Sequence, residues 1–216
     1  MALVTKLSNS IKQYGFINFI SFALSKLGEK LGYYHVVYFL LSKDLSHHQH
    51  QHLKPLANGF YLEEFTSIHI DALKKSWLTE QQLFRFKNRL TEGENIGVGI
   101  YSKSNKELAY YFWISFEKYE LPDHLDAYHG LQLNSDEAYL YDGFCNPTYR
   151  GLGLHGYAAS YLMNKAKDAG RAKAITIIQS INKAALQSQQ KVGFQPVKEI
   201  SFKGFKSSIS SSIRNL

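Results

Sequence analysis

Glu137-Ala138-Tyr139-Leu140-Tyr141-Asp142-Gly143-Phe144-Cys145, then Asn146-Pro147-Thr148-Tyr149, then Arg150-Gly151-Leu152-Gly153-Leu154-His155-Gly156, is the most informative stretch of this chain. The first nine residues are largely aromatic and apolar and read as a strand. The last seven open a helix that continues to Ala169 and stops at Gly170, a fitting residue beyond a helix end. A strand, a short turn and a helix N-terminus in succession bring about four unpaired backbone N–H groups and a partial positive charge to one point. Such a point binds phosphate or pyrophosphate when side chains leave room, and Gly151, Gly153 and Gly156 leave it. It is not a P-loop, because no Gly-Lys-Ser/Thr follows. A tight strand-to-helix turn would use the same glycines, so both readings stand at this point.

Outward from that stretch, Lys173 to Gln179 reads as a strand, Asn182 to Val192 as a helix closed by Gly193, and Phe194 to Phe202 as a strand. Toward the N-terminus, a strand from Phe60 to Thr66 follows Asn58-Gly59, and a short helix spans Ile70 to Trp77. Thr79 with Gln82 has the form of a capping box, opening a helix with Leu83, Phe84, Phe86 and Leu90 on its apolar face. Asn95 to Ser102 and Glu107 to Phe116 form a predicted hairpin around Ser104-Asn105, and residues 117 to 136 form a long polar loop of the kind that is usually functional. The order is that of a mixed α/β (α+β) domain with a central sheet flanked by helices.

Pro147 to Leu154 resembles motif A of the GNAT acyltransferases, whose Arg/Gln-x-x-Gly-x-Gly/Ala loop holds the pyrophosphate of coenzyme A. Asn182 with Lys191-Val192-Gly193-Phe194 resembles the motif B pattern, in which an Asn opens a helix closed by Lys-x-Gly-Phe. The likeness covers roughly residues 57 to 202. It implies the GNAT acyl-CoA N-acyltransferase fold, acetyl-CoA as co-substrate and no metal. It also implies that Phe144, Cys145, Arg150, Gly151, Leu152, Gly153, Leu154, His155, Gly156 and Asn182 contact that cofactor. Two positions depart from the pattern: His155 stands where many members have Gly or Ala, and Gln189 where many carry the Tyr that protonates the departing thiolate.

The implied reaction is attack of an amine on an acetyl thioester, which needs a base for the ammonium proton and a fixed donor for the oxyanion. In the family that donor is a backbone N–H of the strand before motif A. Strand alternation puts Glu137, Tyr139, Tyr141, Gly143 and Cys145 on one face and Asp142 on the other. Glu137 and Asp142 are the candidate catalytic carboxylates: Glu137 lies at the offset from Arg150 that some branches use, and Asp142 is an acid among apolar residues, which should be paired or functional. Cys145 has no His or Asn partner placed by sequence, and His69, His124 and His129 lie in polar surroundings. Trp77, Phe84, Trp113, Phe116, Tyr139 and Tyr141 are candidate lining for an acceptor pocket, with the core as the alternative. The expected acceptor is a small primary amine such as an amino sugar. A protein or peptide N-acetyltransferase and a catalytically silent coenzyme A-binding or interaction module are the alternatives.

The composition limits the partners. With 216 residues, 44% hydrophobic and 20% charged, the chain is an ordinary globular protein rather than a disordered or disulfide-stapled one. Its formal charge of +7 is concentrated in residues 1 to 56 and 198 to 216, whereas 57 to 197 is neutral, so no nucleic-acid groove is expected. Residues 1 to 56 are expected to be an extension to the acyltransferase domain at 57 to 216. In that extension a helix over 8 to 31 precedes a buried strand over 33 to 41 and the run His47-His48-Gln49-His50-Gln51-His52, read as a polar linker rather than a metal site. The basic extension is a candidate membrane-surface element, and its wide apolar helix face is a candidate contact in a homodimer. A single cysteine, no stretch long enough to span a bilayer and no signal-peptide cleavage site point to a cytoplasmic protein.

Overall fold

The eight residues of Leu108–Ser115 are all buried, so this strand has no polar face and belongs at the centre of a sheet. The computed structural model describes residues 27–28, 30–46, 56–73, 76–92, 94–121, 130–205 and 208–216. Its strands are β1 (Tyr33–Asp44), β2 (Phe60–Glu64), β3 (Asn95–Ser102), β4 (Leu108–Ser115), β5 (Glu137–Cys145), β6 (Lys173–Gln179), β7 (Gln195–Phe205) and β8 (Ser208–Asn215). The helices are α1 (Ser67–Ala72), α2 (Glu80–Thr91), α3 (Leu154–Asp168) and α4 (Lys183–Lys191), with a 3-10 turn at Pro147–Tyr149. The strands hydrogen-bond in the order β2-β3-β4-β5-β6-β1-β7-β8; β5 and β6 run parallel, and β2-β3, β3-β4, β4-β5, β1-β7 and β7-β8 pair antiparallel. A mixed α+β sheet flanked by helices is the architecture that the sequence resemblance implies.

The chain divides into two compact units, and the break falls inside β6. One unit comprises residues 43–119 and 132–175; the other comprises 1–42, 120–131 and 176–216 in their described parts.

In the first unit, β4 separates two helices by strand alternation. Tyr111 and Trp113 meet Phe86 of α2, with ring centroids 4.9 and 5.0 Å away. Phe112, on the opposite face, meets the His155 ring of α3 at 5.4 Å. The inward face of α3, formed by Leu154, Ala158, Ala159, Leu162, Met163 and Ala166, is buried at spacings of three and four. Each fully buried Leu or Met on it contributes about 1.5–3 kcal/mol over an exposed one. The capping box of α2 forms as expected: Thr79 Oγ1 accepts from the Gln82 N–H at 3.2 Å, and Gln82 Oε1 accepts from the Thr79 N–H at 2.9 Å. The apolar face of α2 is narrower than expected. Phe84 is 64% exposed and the buried positions are Leu83, Phe86 and Arg89. The first short helix starts earlier than expected, at Ser67, because Thr66 caps it by accepting from the His69 N–H.

In the second unit, β1 pairs with β7 from Tyr33↔Phe205 to Ser42↔Gln195, and β7 pairs with β8. The strand of the N-terminal extension is therefore hydrogen-bonded along its length to a strand from the far end of the chain. β8 has no counterpart in the sequence reading. Ser208–Asn215 carries five serine and asparagine side chains around two isoleucines, and it is almost wholly exposed, so neither apolar content nor clean alternation marks it. The helix expected over 8 to 31 lies outside the described residues, apart from helical Leu27, Gly28 and Lys30. His47 to His52 lie outside them too.

Candidate active site

The strand-turn-helix segment around Cys145–Gly156 is held from the β3–β4 turn. Glu107 accepts from Asn146 Nδ2 at 3.1 Å through one carboxylate oxygen and from the Tyr149 hydroxyl at 2.9 Å through the other. Asn146 is buried, its N–H donates to the Ala109 carbonyl, and its Oδ1 accepts from the Thr148 N–H at 3.1 Å. The 3-10 turn is thereby fixed, and the chain beyond it turns outward. Arg150, Gly151, Leu152 and Gly153 are exposed. Gly151 and Gly153 adopt φ of +85° and +72°, which a side-chain-bearing residue adopts only with strain, and no atom lies within 4 Å of where a Cβ on either would stand. Gly153 is the N-cap of α3 and has no side chain to offer as a cap, and no acidic residue stands in the first turn. The opening N–H groups of α3 thus have no side-chain cap and stand at the positive end of the helix dipole, an arrangement suited to a phosphate. The spacing Gly151-x-Gly153-x-x-Gly156 is shared with dinucleotide loops, but here the preceding strand is mainly paired antiparallel, outside the parallel βαβ context of those loops.

His155 lies on the inner side of the helix start. Its Nδ1 is 2.7 Å from the Tyr110 hydroxyl and its ring packs on Phe112. Burial, together with Cys145, Tyr111 and Asp142 nearby, pushes the Tyr110 hydroxyl well above its ordinary range, so it stays protonated. Burial also pushes the Cys145 thiol up, against the opposing pull of Arg150. A thiol in that state is a poor nucleophile. Phe144 is 37% exposed, with its ring 5.1 Å from Trp77 and 6.2 Å from Tyr111.

The expected alternation along β5 breaks at Asp142. Tyr141 pairs with Trp113 and Phe144 with Tyr111, so Asp142 and Gly143 together face the single residue Phe112 in a β-bulge. Asp142 has φ +49°. Its Oδ2 lies 2.5 Å from Arg89 Nη1, and its Oδ1 accepts from the Tyr111 hydroxyl at 3.4 Å. Gly143 is required by close approach, since a Cβ there would meet Phe112 Cδ2 and the Tyr110 hydroxyl at 2.8 Å. Arg89 was invisible as a site residue in sequence. The available signal was its place seven residues after Gln82, two turns on, in line with Leu83 and Phe86 where an apolar residue is the rule.

Glu137 lies at the other end of β5, eight residues or about 25 Å of strand from Cys145. It is 8% exposed, and its Oε2 accepts from the Asn134 N–H at 3.1 Å and from the Tyr119 hydroxyl at 3.4 Å. The parallel ladder to β6 runs Glu137↔Lys173 to Tyr139↔Ile175 and stops there, six residues before the end of β5.

Asn182 and Gln189 belong to the second unit. Asn182 caps α4 by accepting from the Ala185 N–H, the role its motif implies, and Gln189 is buried with Oε1 lacking a hydrogen-bond partner. Of the aromatics expected to line an acceptor pocket, Trp113, Tyr139 and Tyr141 are core residues, while Trp77 and Phe116 are partly exposed. His69 holds the Glu64 carbonyl through Nδ1 at 2.8 Å, and His124 and His129 lie outside the described residues. Among the described residues no helix is long and apolar enough to cross a membrane.

No family model and no curated protein matches the sequence. Solved structures do match. A tandem GNAT protein from the clavulanic acid biosynthesis pathway aligns with TM-score 0.52 and 12% identity over 79% of this chain and 54% of its own. A GCN5-related N-acetyltransferase from Sphaerobacter thermophilus aligns with TM-score 0.53 and 10% identity, over 88% and 55%. A GCN5-related glucosamine N-acetyltransferase region of a fungal multi-domain GH3 β-N-acetylglucosaminidase gives 0.56 and 11%, over 86% and 23%. The chain thus spans about half the length of the first two and about a quarter of the third. At these identities the likeness is one of fold.

Proposed function

We propose that this chain is an acetyl-CoA-dependent N-acyltransferase that acylates a primary amine of a small molecule, an amino sugar being the preferred class. The observation that carries the proposal is the exposed Arg150–Gly153 turn before an uncapped helix N-terminus, at the end of a strand that has left its parallel partner, in a GNAT fold. The residues fit the pyrophosphate of coenzyme A: backbone N–H groups at the start of α3, the Arg150 guanidinium, and open space over Gly151 and Gly153. When bound, acetyl-CoA supplies the activated thioester carbonyl. The amino-sugar preference draws on the glucosamine N-acetyltransferase region among the similar structures.

Backbone N–H groups along β5 are the proposed donors to the oxyanion, the part the resemblance assigns to this strand. Glu137 and Asp142 are the two candidates for the base. Asp142 faces Arg89. Glu137 is therefore the proposed acceptor of the amine proton, directly or through water, and Glu137→Gln should cost on the order of ~10² in rate. Buried Gln189, in the place of the family's acid, donates no proton to the departing thiolate. This favours a second reading, a silent module that binds coenzyme A without turnover.

Calorimetry with coenzyme A and a thiol-release assay over an amine panel separate these readings. Gly153→Val forces a β-branched residue to φ +72° and fills the open approach, and should weaken coenzyme A binding more than tenfold, about 1.4 kcal/mol. Unchanged affinity in the folded variant would remove the site. Binding without thiol release from any amine would select the silent module.

A further inference from the structure

The Asp142–Arg89 pair lies outside the phosphate loop, yet it joins the helix that follows Thr79 to the strand that delivers that loop. Among the described residues only Asp142 and Lys106 combine a side chain with a left-handed backbone. Lys106 sits in an exposed hairpin turn, where such a conformation is ordinary. Asp142 sits within β5, at the first position of a bulge that glycine more often fills.

What holds it there is Arg89. The guanidinium is buried, with 7% of its side chain exposed, and it stacks on three rings: Tyr141 at 4.7 Å, Trp113 at 5.3 Å and Phe86 at 5.9 Å. Its position is therefore set by the core, and Nη1 presents a fixed donor at 2.5 Å from Asp142 Oδ2. Two turns earlier on α2, Gln82 uses both ends of its amide. Oε1 accepts from Thr79 in the capping box, and Nε2 donates at 3.3 Å to the Tyr111 hydroxyl, which reaches the second Asp142 oxygen. The helix thus grips the bulge at two points. A bulge re-aims the strand that carries it. The change is visible here, because β5 is buried from Glu137 through Tyr141, whereas Gly143 and Phe144 are exposed and lead directly into Asn146 and the turn before Arg150.

We infer that Arg89 is a positioning residue: by holding the Asp142 carboxylate it maintains the left-handed turn of β5 and so aims the last residues of the strand, whose backbone N–H groups serve the proposed acyl transfer. This inference rests on the acyltransferase reading for its catalytic part and on the geometry alone for the clamp. Arg89 touches no reacting atom, and Asp142 is an anchor rather than a base.

Two measurements test it. Amide hydrogen exchange by mass spectrometry compares wild type with Arg89→Met, Arg89→Lys and Asp142→Asn. In Arg89→Met and Asp142→Asn, exchange in the peptide 140–146 should rise at least tenfold more than exchange in α3 does. Exchange unchanged in 140–146, or raised equally in α3, overturns the clamp. If Arg89→Met does not fold, Arg89→Lys, which keeps the charge but not the planar fork, carries the same comparison together with Asp142→Asn. Steady-state kinetics with an active amine should then show kcat at least tenfold lower in the clamp variants, KM for acetyl-CoA within twofold and both limbs of the pH profile retained. A lost limb in Asp142→Asn would make Asp142 the base, and an unchanged kcat would make the clamp purely structural; either result overturns the positioning role. A wild type that neither binds coenzyme A nor releases thiol removes the acyltransferase reading, while the exchange result still decides whether Arg89 holds the bulge.

Discussion

The two ends of β5 each carry one acid, and the chain treats them in opposite ways. At the start, Glu137 lies where β5 is joined to β6, in regular strand geometry, and its carboxylate serves a neutral N–H and a neutral hydroxyl. Beside it the Tyr119 hydroxyl is pushed up, first by burial and then by that carboxylate. Toward the end, Asp142 lies in a bulge with a left-handed backbone and faces a buried guanidinium. Glu137 is buried and Asp142 partly so, but only Asp142 faces a cation.

If the contrast is right, the largest effect on stability comes from Asp142→Asn. It removes the charge that faces the buried Arg89 guanidinium and should cost about 3 kcal/mol in urea unfolding, toward the low end for a broken buried pair because the Asp142 side chain is 26% exposed. A cost below about 1 kcal/mol would put the pair on the scale of a surface ion pair and erase the difference between the two ends. Next in size is Gly143→Ala. A methyl group 2.8 Å from Phe112 and from the Tyr110 hydroxyl requires one of them to move, at a cost of about 2 kcal/mol by thermal denaturation. Tolerance of alanine there would mean that the bulge is not closely packed.

The smallest effect is expected at the other end. Glu137→Gln keeps an oxygen for the Asn134 N–H and the Tyr119 hydroxyl and should change stability by less than about 1 kcal/mol, while Glu137→Ala orphans both donors and should cost about 2 kcal/mol. A Glu137→Gln loss as large as that of Asp142→Asn would show that charge matters equally at both ends. Because Glu137→Gln is nearly neutral for folding, a ~10²-fold loss of rate in that variant would report on chemistry rather than on unfolding.

Most of the element order was legible along the chain for local reasons. β6 appears at Lys173–Gln179 as read, the α2 capping box forms with both of its bonds, and Asn182 caps α4. For the two caps the determining interactions lie within a few residues. The glycines at 151 and 153 were legible for the same reason, since left-handed φ is a property of a single residue. Where the reading fell short, the cause was distant pairing. The alternation of β5 assumed a regular strand, and one extra residue opposite Phe112 shifts every face assignment beyond it. β8 carries little apolar signal and appears as a strand through its pairing with β7.

By itself the sequence determined most of the strands and helices, the caps at Thr79 and Asn182 and the glycine turn at Arg150–Gly153, because hydrogen bonds and steric limits of short range decide the caps and the turn. Only the tertiary structure decided what the two acids of β5 meet. Arg89 lies 53 residues from Asp142 along the chain, and nothing in the local pattern of either segment specifies the other. Their 2.5 Å approach exists because Phe86, Trp113 and Tyr141 pack around the guanidinium and fix its position. Packing of that kind is a property of the assembled core.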